Sequence, residues 1–286
     1  MKRDEVVFIT GGGRGIGAAV AEAFARAGSD LVLVARTATE IESVAAACRA
    51  QGVRALALAA DVSRREVVSA AVRAAEKTFG RIDVLVCAAG VYGPIGPLVE
   101  TDLDAWAAAL SVNLLGTVYA LHAVLPGMIA RRKGVVINLS GGGAVAPFPR
   151  FSAYATSKAA VVRLTETVAE EVREYGVRVN AIAPGAVNTR LLDEVLAAGE
   201  RAGRDFYAKA LEQKSKGGTP PERAAELALF LASPEARGIT GRLLSAVWDD
   251  WRALAAQSQD WEQSALYTLR RIDGRNFTET RVAAAR

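Results

Sequence analysis

The sequence predicts an α/β fold, a doubly wound parallel sheet of seven strands with a C-terminal extension. Three observations predict it. Short apolar runs rich in β-branched residues alternate with alanine-rich helical stretches along the 286-residue chain. Those runs are apolar throughout rather than alternating, as strands covered on both faces by helices are. The first of them, VVFIT at 6–10, enters a glycine cluster that opens at once into a helical pattern.

The remaining strands are read at 31–35, 53–59, 83–88, 134–140, 177–183 and 242–247. Between them, 15–27, 38–50, 64–79, 103–131 and 153–175 carry helix formers with apolar spacings of three and four, which fits crossover helices. The stretch 199–221 is polar, contains glycine and lysine, and closes on Pro220 and Pro221, so it reads as a mobile surface segment. Residues 1–247 form one domain that binds the nucleotide and carries the chemistry. Residues 248–286, with Trp248, Trp251, Trp261 and Arg270-Arg271, are an extension expected to pack on the same domain or on a neighbouring subunit.

Composition narrows the function. Apolar residues make up 51% and charged residues 23%, a globular balance. Lysine and arginine number 35 against 31 acids, with no basic stripe, so no nucleic-acid partner is expected. The two cysteines, Cys48 and Cys87, lack disulfide or metal-ligand spacing, which suits a reducing cytoplasm and predicts no metal. The short apolar run after the basic start does not resemble a secretory core, and no uninterrupted apolar run of ~18 residues predicts a membrane partner. His122, the one histidine, sits in an apolar helical pattern and is read as structural.

The glycine cluster is Thr10-Gly11-Gly12-Gly13-Arg14-Gly15-Ile16-Gly17. A strand, a glycine turn and a helix N-terminus together make an anion site, because free amides and the helix dipole attract a pyrophosphate. The spacing is T-G-x-x-x-G-x-G rather than G-x-G-x-x-G, and its position after the first strand predicts a Rossmann-like dinucleotide site. At the end of the second strand, where an acid would hold the ribose of NAD, stand Ala35 and Arg36. Arg36, with Arg14 as a second cation, predicts NADP(H) in preference to NAD(H).

Tyr154 and Lys158 lie four residues apart on a predicted helix and therefore share a face. A phenol with a pKa near ~10 is a weak base at neutral pH, and a nearby ammonium is expected to favour its ionised form. The pair thus reads as a proton donor and acceptor with its activator.

With these residues the chain resembles the short-chain dehydrogenase/reductase family, in its compact single-domain subgroup, over roughly 5–245. The resemblance rests on T-G-G-G-R-G-I-G at 10–17, Asp61-Val62, C-A-A-G at 87–90, Val112-Asn113, N-L-S at 138–140, Tyr154 with Lys158, and Pro184-Gly185 through Thr189. It implies that Asp61 and Val62 cradle adenine, and that Ala89 and Gly90 line the ribose side. Tyr154 would protonate a carbonyl oxygen during hydride transfer, Lys158 would also hold the nicotinamide ribose, and Asn113 would hold a relay water. Val187 and Thr189, after Pro184 and Gly185, would orient the carboxamide. The resemblance further implies a small-molecule ketone or secondary alcohol as substrate, and homodimers or homotetramers packed through 103–131 and 153–175.

Three departures stand out. The family's catalytic serine, three residues beyond the strand asparagine and thirteen before the tyrosine, falls here on Gly141. Either Ser140, one residue early, takes that role, or a Gly141-region amide replaces it. Cys87-Ala88 stands where two asparagines are common, and Cys87 is read as a small buried hydrophobe. Trp248 to Trp251 run on into the extension instead of a glycine turn. The reading is therefore an NADP(H)-dependent oxidoreductase with its substrate pocket built from 91–100, 144–153 and 188–216. The alternatives are a nucleotide-binding regulator or scaffold with impaired catalysis, and an epimerase or dehydratase that recycles its nicotinamide.

Overall fold

The computed structural model describes residues 5–256 and 264–272. Its strands are β1 (Val6–Thr10), β2 (Asp30–Ala35), β3 (Ala55–Ala59), β4 (Val84–Cys87), β5 (Gly134–Leu139), β6 (Val177–Ala183) and β7 (Leu243–Ser245). Its helices are α1 (Gly15–Arg26), α2 (Ala38–Arg49), α3 (Arg65–Phe79), α4 (Leu103–Leu110), α5 (Gly116–Ala130), α6 (Ser152–Val172), α7 (Arg190–Ala198), α8 (Arg204–Lys216), α9 (Pro221–Ala232) and α10 (Trp251–Ala256). The strands form one parallel sheet in the order β3-β2-β1-β4-β5-β6-β7. Strand order reverses between β1 and β4, so a crevice opens at their carboxyl ends, where open α/β sheets bind ligands.

Both faces of the sheet are covered, which is why its strands read as unbroken apolar runs. On one face Phe24 of α1, Ile41 of α2 and Leu227 of α9 pack on Val7, Ile9, Leu33 and Ile137. On the other, Val68 of α3, Leu121 and Met128 of α5 and Val168 of α6 pack on Phe8, Val32, Leu85 and Val136. Cys87 and Cys48 are both buried, and burial pushes their thiols up to about 12 and about 11, so they are inert small hydrophobes at neutral pH. His122 lies exposed on α5, away from the cavities described below.

The stretch predicted as one helix at 103–131 is continuous but not uniform. Between α4 and α5, Ser111–Leu115 form a π-helical turn, whose extra residue rotates Asn113 fully into the interior. By length and composition Leu103–Ala130 would suffice to cross a membrane; in this fold its inner residues Ala109, Leu121, Val124 and Met128 are buried.

The segment 199–221 departs from expectation. It is a 3-10 turn (Gly199–Ala202), then α8, then the entry to α9. Phe206 and Ala210, four apart on α8, pack into an apolar cluster with Phe151, Leu192 and Val195. That contact holds a helix whose other positions are mostly polar.

The described residues of the extension contact α6, α9 and β7. Trp251 is buried with its ring centroid 4.9 Å from that of Phe230. The Leu243 amide of β7 donates to the Tyr267 carbonyl at 2.8 Å, and the Leu269 amide donates to Glu166 of α6 at 2.6 Å. Arg242 donates to the carbonyls of Ser264 and Leu266 at 2.7 and 2.8 Å. Trp261 lies outside the described residues.

Candidate active site

The turn between β1 and α1 is too tight for side chains at its closest point. A β-carbon on Gly17 would stand 2.1 Å from the Gly11 carbonyl oxygen, an impossible contact with backbone. Arg14 precedes α1 without capping it, and no acid occupies the first turn of this 12-residue helix. Its first amides therefore have no side-chain acceptor, and Gly15, Ile16 and Gly17 line an adjoining cleft of about 390 Å³. An uncapped helix start with no carboxylate in its first turn fits the pyrophosphate of a dinucleotide.

The same cleft is lined by Gly11, Gly13, Arg14, Arg36, Asp61, Val62, Ala89, Gly90 and Thr189. Burial raises the Asp61 carboxyl, but hydrogen bonds from the Ser63 amide and hydroxyl, with the charges of Arg36 and Arg64, outweigh it and hold the group below its ordinary value. Arg14 also lines the cleft and is ion-paired with Glu40 at 3.0 Å, so its charge there is shared with that carboxylate. Glu40, Asn188 and Glu194 also line the cleft and escaped sequence reasoning, since no local pattern marks them.

A second cavity of about 440 Å³ shares Ile16, Ala88, Gly90, Thr189 and Leu191 with the cleft. Into it face Tyr154, Lys158, Ser140, Pro184, Gly185 and Val187. The Lys158 ammonium donates to the Leu139 carbonyl at 2.8 Å and stands 5.6 Å from the centroid of the Tyr154 ring. The Tyr154 hydroxyl has no hydrogen-bond partner among the described residues, which leaves it to whatever enters the cavity.

Burial acts on this pair more strongly than their proximity. Desolvation, with a smaller contribution from Tyr92, raises the Tyr154 phenol well above its ordinary value, whereas the spacing alone predicts a lowered one. Desolvation likewise lowers Lys158 from 10.5 to about 8. At neutral pH the tyrosine is therefore a protonated acid beside an ammonium.

Asn113 lines neither cavity and acts from behind. Its side-chain oxygen accepts from the Val91 amide at 2.8 Å, and its amide nitrogen donates to the Val91 carbonyl at 2.8 Å and to Ser157 Oγ at 2.9 Å. Ser157 in turn donates to the Tyr154 carbonyl at 2.7 Å, so Asn113 braces the turn of α6 that carries the pair.

The serine question takes a definite form. A β-carbon on Gly141 would lie 2.1 Å from Tyr154 Oη and 2.9 Å from Cζ. The tyrosine hydroxyl thus fills the space that a side chain at 141 would need. Ser140 is buried, its Oγ without a hydrogen-bond partner among the described residues, and it borders the same cavity. The outer wall is apolar: Phe148 stacks on Phe151 at 4.3 Å, Phe206 meets both edge-on, and Tyr92 meets Tyr154 edge-on at 4.7 Å. Tyr92, Phe148 and residues of α7 and α8 come from the loop ranges predicted for the pocket.

A molecule built this way is an oxidoreductase with a Rossmann-type NAD(P)-binding fold. The family model described as short chain dehydrogenase matches residues 5–199, and the chain belongs to that family. It is 36% identical over 241 residues to 2-(S)-hydroxypropyl-CoM dehydrogenase 3 of Xanthobacter autotrophicus, covering 84% of this chain and 93% of that one. A crystal structure of NAD+-bound xylitol dehydrogenase superposes with a TM-score of 0.79 at 29% identity, covering 84% of this chain and 96% of that one. Actinorhodin polyketide ketoreductase with NADPH superposes with a TM-score of 0.79 at 26% identity, covering 86% and 97%.

Proposed function

We propose that the protein is an NADP(H)-dependent oxidoreductase that reduces a ketone, or oxidises the matching secondary alcohol, with Tyr154 as general acid and base. The observation that carries this reading is the Tyr154 hydroxyl, without a hydrogen-bond partner among the described residues, in a cavity that adjoins the dinucleotide cleft. When bound, the nicotinamide supplies the hydride. Tyr154 donates its proton to the developing alkoxide, and the Lys158 ammonium stabilises the phenolate left behind. Asn113 braces the pair from behind, through Val91 and Ser157. Ser140, just past the end of β5, polarises the carbonyl oxygen. Val187 and Thr189 orient the carboxamide, while Asp61, Val62, Ala89 and Gly90 hold the adenosine side. The phenol's upward shift favours the protonated acid, which supports reduction at neutral pH.

Reduction should fall as pH rises through about 8, where Lys158 loses its charge. Tyr154→Phe should lower kcat/KM for ketone reduction on the order of 10³-fold with unchanged thermal unfolding. Turnover within a few-fold of wild type would sink the assignment.

NADP(H) is preferred in this reading because Arg36 stands exposed at the end of β2 in place of an acid. Arg36→Asp should shift the ratio of kcat/KM for NADPH over NADH at least about tenfold toward NADH, since a carboxylate repels the 2′-phosphate. An unaltered ratio would assign the choice elsewhere. The exposed apolar residues Leu103 and Leu115 of the long helix support association through 103–131 and 153–175 as a dimer or tetramer.

A further inference from the structure

The helix α8 presents one stripe to the substrate cavity: Phe206, Lys209, Ala210 and Gln213, spaced three, four and seven along the helix. Such a stripe on a cavity wall is expected to be apolar, and Phe206 and Ala210 are. Lys209 and Gln213 are the exceptions, and of the two only Lys209 carries a charge. The other cations of α8 are each engaged: Arg204 with Glu200 at 3.5 Å, Lys214 with Asp193 at 2.9 Å and Lys216 with Glu212 at 2.7 Å. Lys209 has no such partner among the described residues. Gln213 is also occupied, because its amide nitrogen donates to the Ala186 carbonyl at 3.0 Å and to Asn188 Oδ1 at 2.8 Å.

No aspartate or glutamate lines this cavity among the described residues, so its charged side chains are Lys158 at the inner end and Lys209 on the α8 wall. Between them lie aromatic and aliphatic surfaces, including Tyr92, Phe148, Leu192 and Val195. An ammonium on an otherwise apolar wall gains most from an anion brought by the ligand, since desolvation on binding strengthens the pair.

We propose that the substrate carries an anionic group, a carboxylate or its equivalent, separated by an apolar or aryl body from the reacting carbonyl, and that Lys209 binds that group. This rests on the ketone-reductase reading above. The carbonyl then lies at Tyr154, the body against the aromatic wall, and the anion at α8. Lys209 acts in substrate choice and takes no part in proton transfer.

The test uses 4-oxo-4-phenylbutanoate and its neutral methyl ester with wild-type enzyme, Lys209→Met and Lys209→Glu. Ketone reduction is followed by loss of reduced-nicotinamide absorbance, and binding of the same two compounds to enzyme holding oxidised NADP is measured by calorimetry. In wild type the acid is expected to surpass the ester about tenfold, in KM and in Kd rather than in kcat. Lys209→Met should bring the acid-to-ester ratio close to one, and Lys209→Glu should invert it. Equal affinity of wild type for both compounds, binding of neither, or an acid preference that survives Lys209→Met would overturn the proposal. If the acid is preferred in binding but neither compound is reduced, the anion site stands and the reductase reading fails. If both are reduced equally well, the reductase reading stands and the anion site fails.

Discussion

Replacing Gly141 by serine is expected to lower kcat/KM on the order of 10²-fold or more, although it restores the side chain that the family carries at this position. The first atom of any side chain there would overlap Tyr154 Oη at 2.1 Å, before the new hydroxyl is placed at all. Tyr154 has little room to yield, since it is 6% exposed and its ring is held edge-on by Tyr92 at 4.7 Å. A displacement of the hydroxyl near 1 Å is enough to cost about 10²-fold in proton transfer. Gly141→Ala should cost as much as Gly141→Ser, because the clash lies with the β-carbon that both share. Overpacking of about 1–3 kcal/mol should also appear as a lower Tm for both. Steady-state ketone reduction with thermal melts checks this. Turnover of Gly141→Ser equal to or above wild type would show that the tyrosine swings aside, and that the missing serine is a loss this enzyme tolerates.

That close approach was not legible in the sequence, and the reason is physical. Gly141 and Tyr154 are thirteen residues apart in an irregular loop and a helix, so no period relates them. What the sequence did carry was local: a buried strand reads as an apolar run, and a strand, glycine turn and helix in succession make an anion site without help from distant residues. The seven strands and the phosphate turn were therefore readable, as was the Tyr154–Lys158 pair, since four residues of helix bring two side chains to one face. The aromatic wall is different, because Tyr92, Phe148, Phe151 and Phe206 meet only when three loops and helices converge. The polarity of 199–221 suggested a surface segment for the same reason: α8 buries a narrow stripe, and its solvated residues dominate the composition. The direction of the Tyr154 shift was missed because spacing reports a neighbouring charge but not the burial that outweighs it.

The second large effect concerns Lys158, whose replacement by methionine is expected to remove activity while leaving the fold as stable as before or more so. Activity should fall on the order of 10²–10⁴-fold, the range of a lost proton-transfer partner. Stability follows a separate course. In the folded protein burial holds this lysine near 8 against an ordinary 10.5, so between those values the unfolded chain binds more protons than the native one. Stability from this group therefore rises with pH across that window, and below about 8 the whole cost of burying the ammonium is present. Methionine keeps a similar apolar stem without the charge and removes a penalty on the order of 3 kcal/mol at neutral pH. Against it stands the Leu139 carbonyl, which loses its 2.8 Å hydrogen bond, a loss of about 1–3 kcal/mol. The two nearly cancel, so the Tm at pH 7 should be unchanged or slightly raised. The pH dependence separates them: the difference in unfolding free energy, wild type minus Lys158→Met, should increase from pH 8 toward 10. Thiols and phenols that titrate in this range in the unfolded chain, such as Cys87 and Tyr154, are present in both proteins and drop out of the comparison to first order. A difference that stays flat with pH would mean that Lys158 is not held near 8 by burial, and that its part in the proton transfer is that of an ordinary, fully charged lysine.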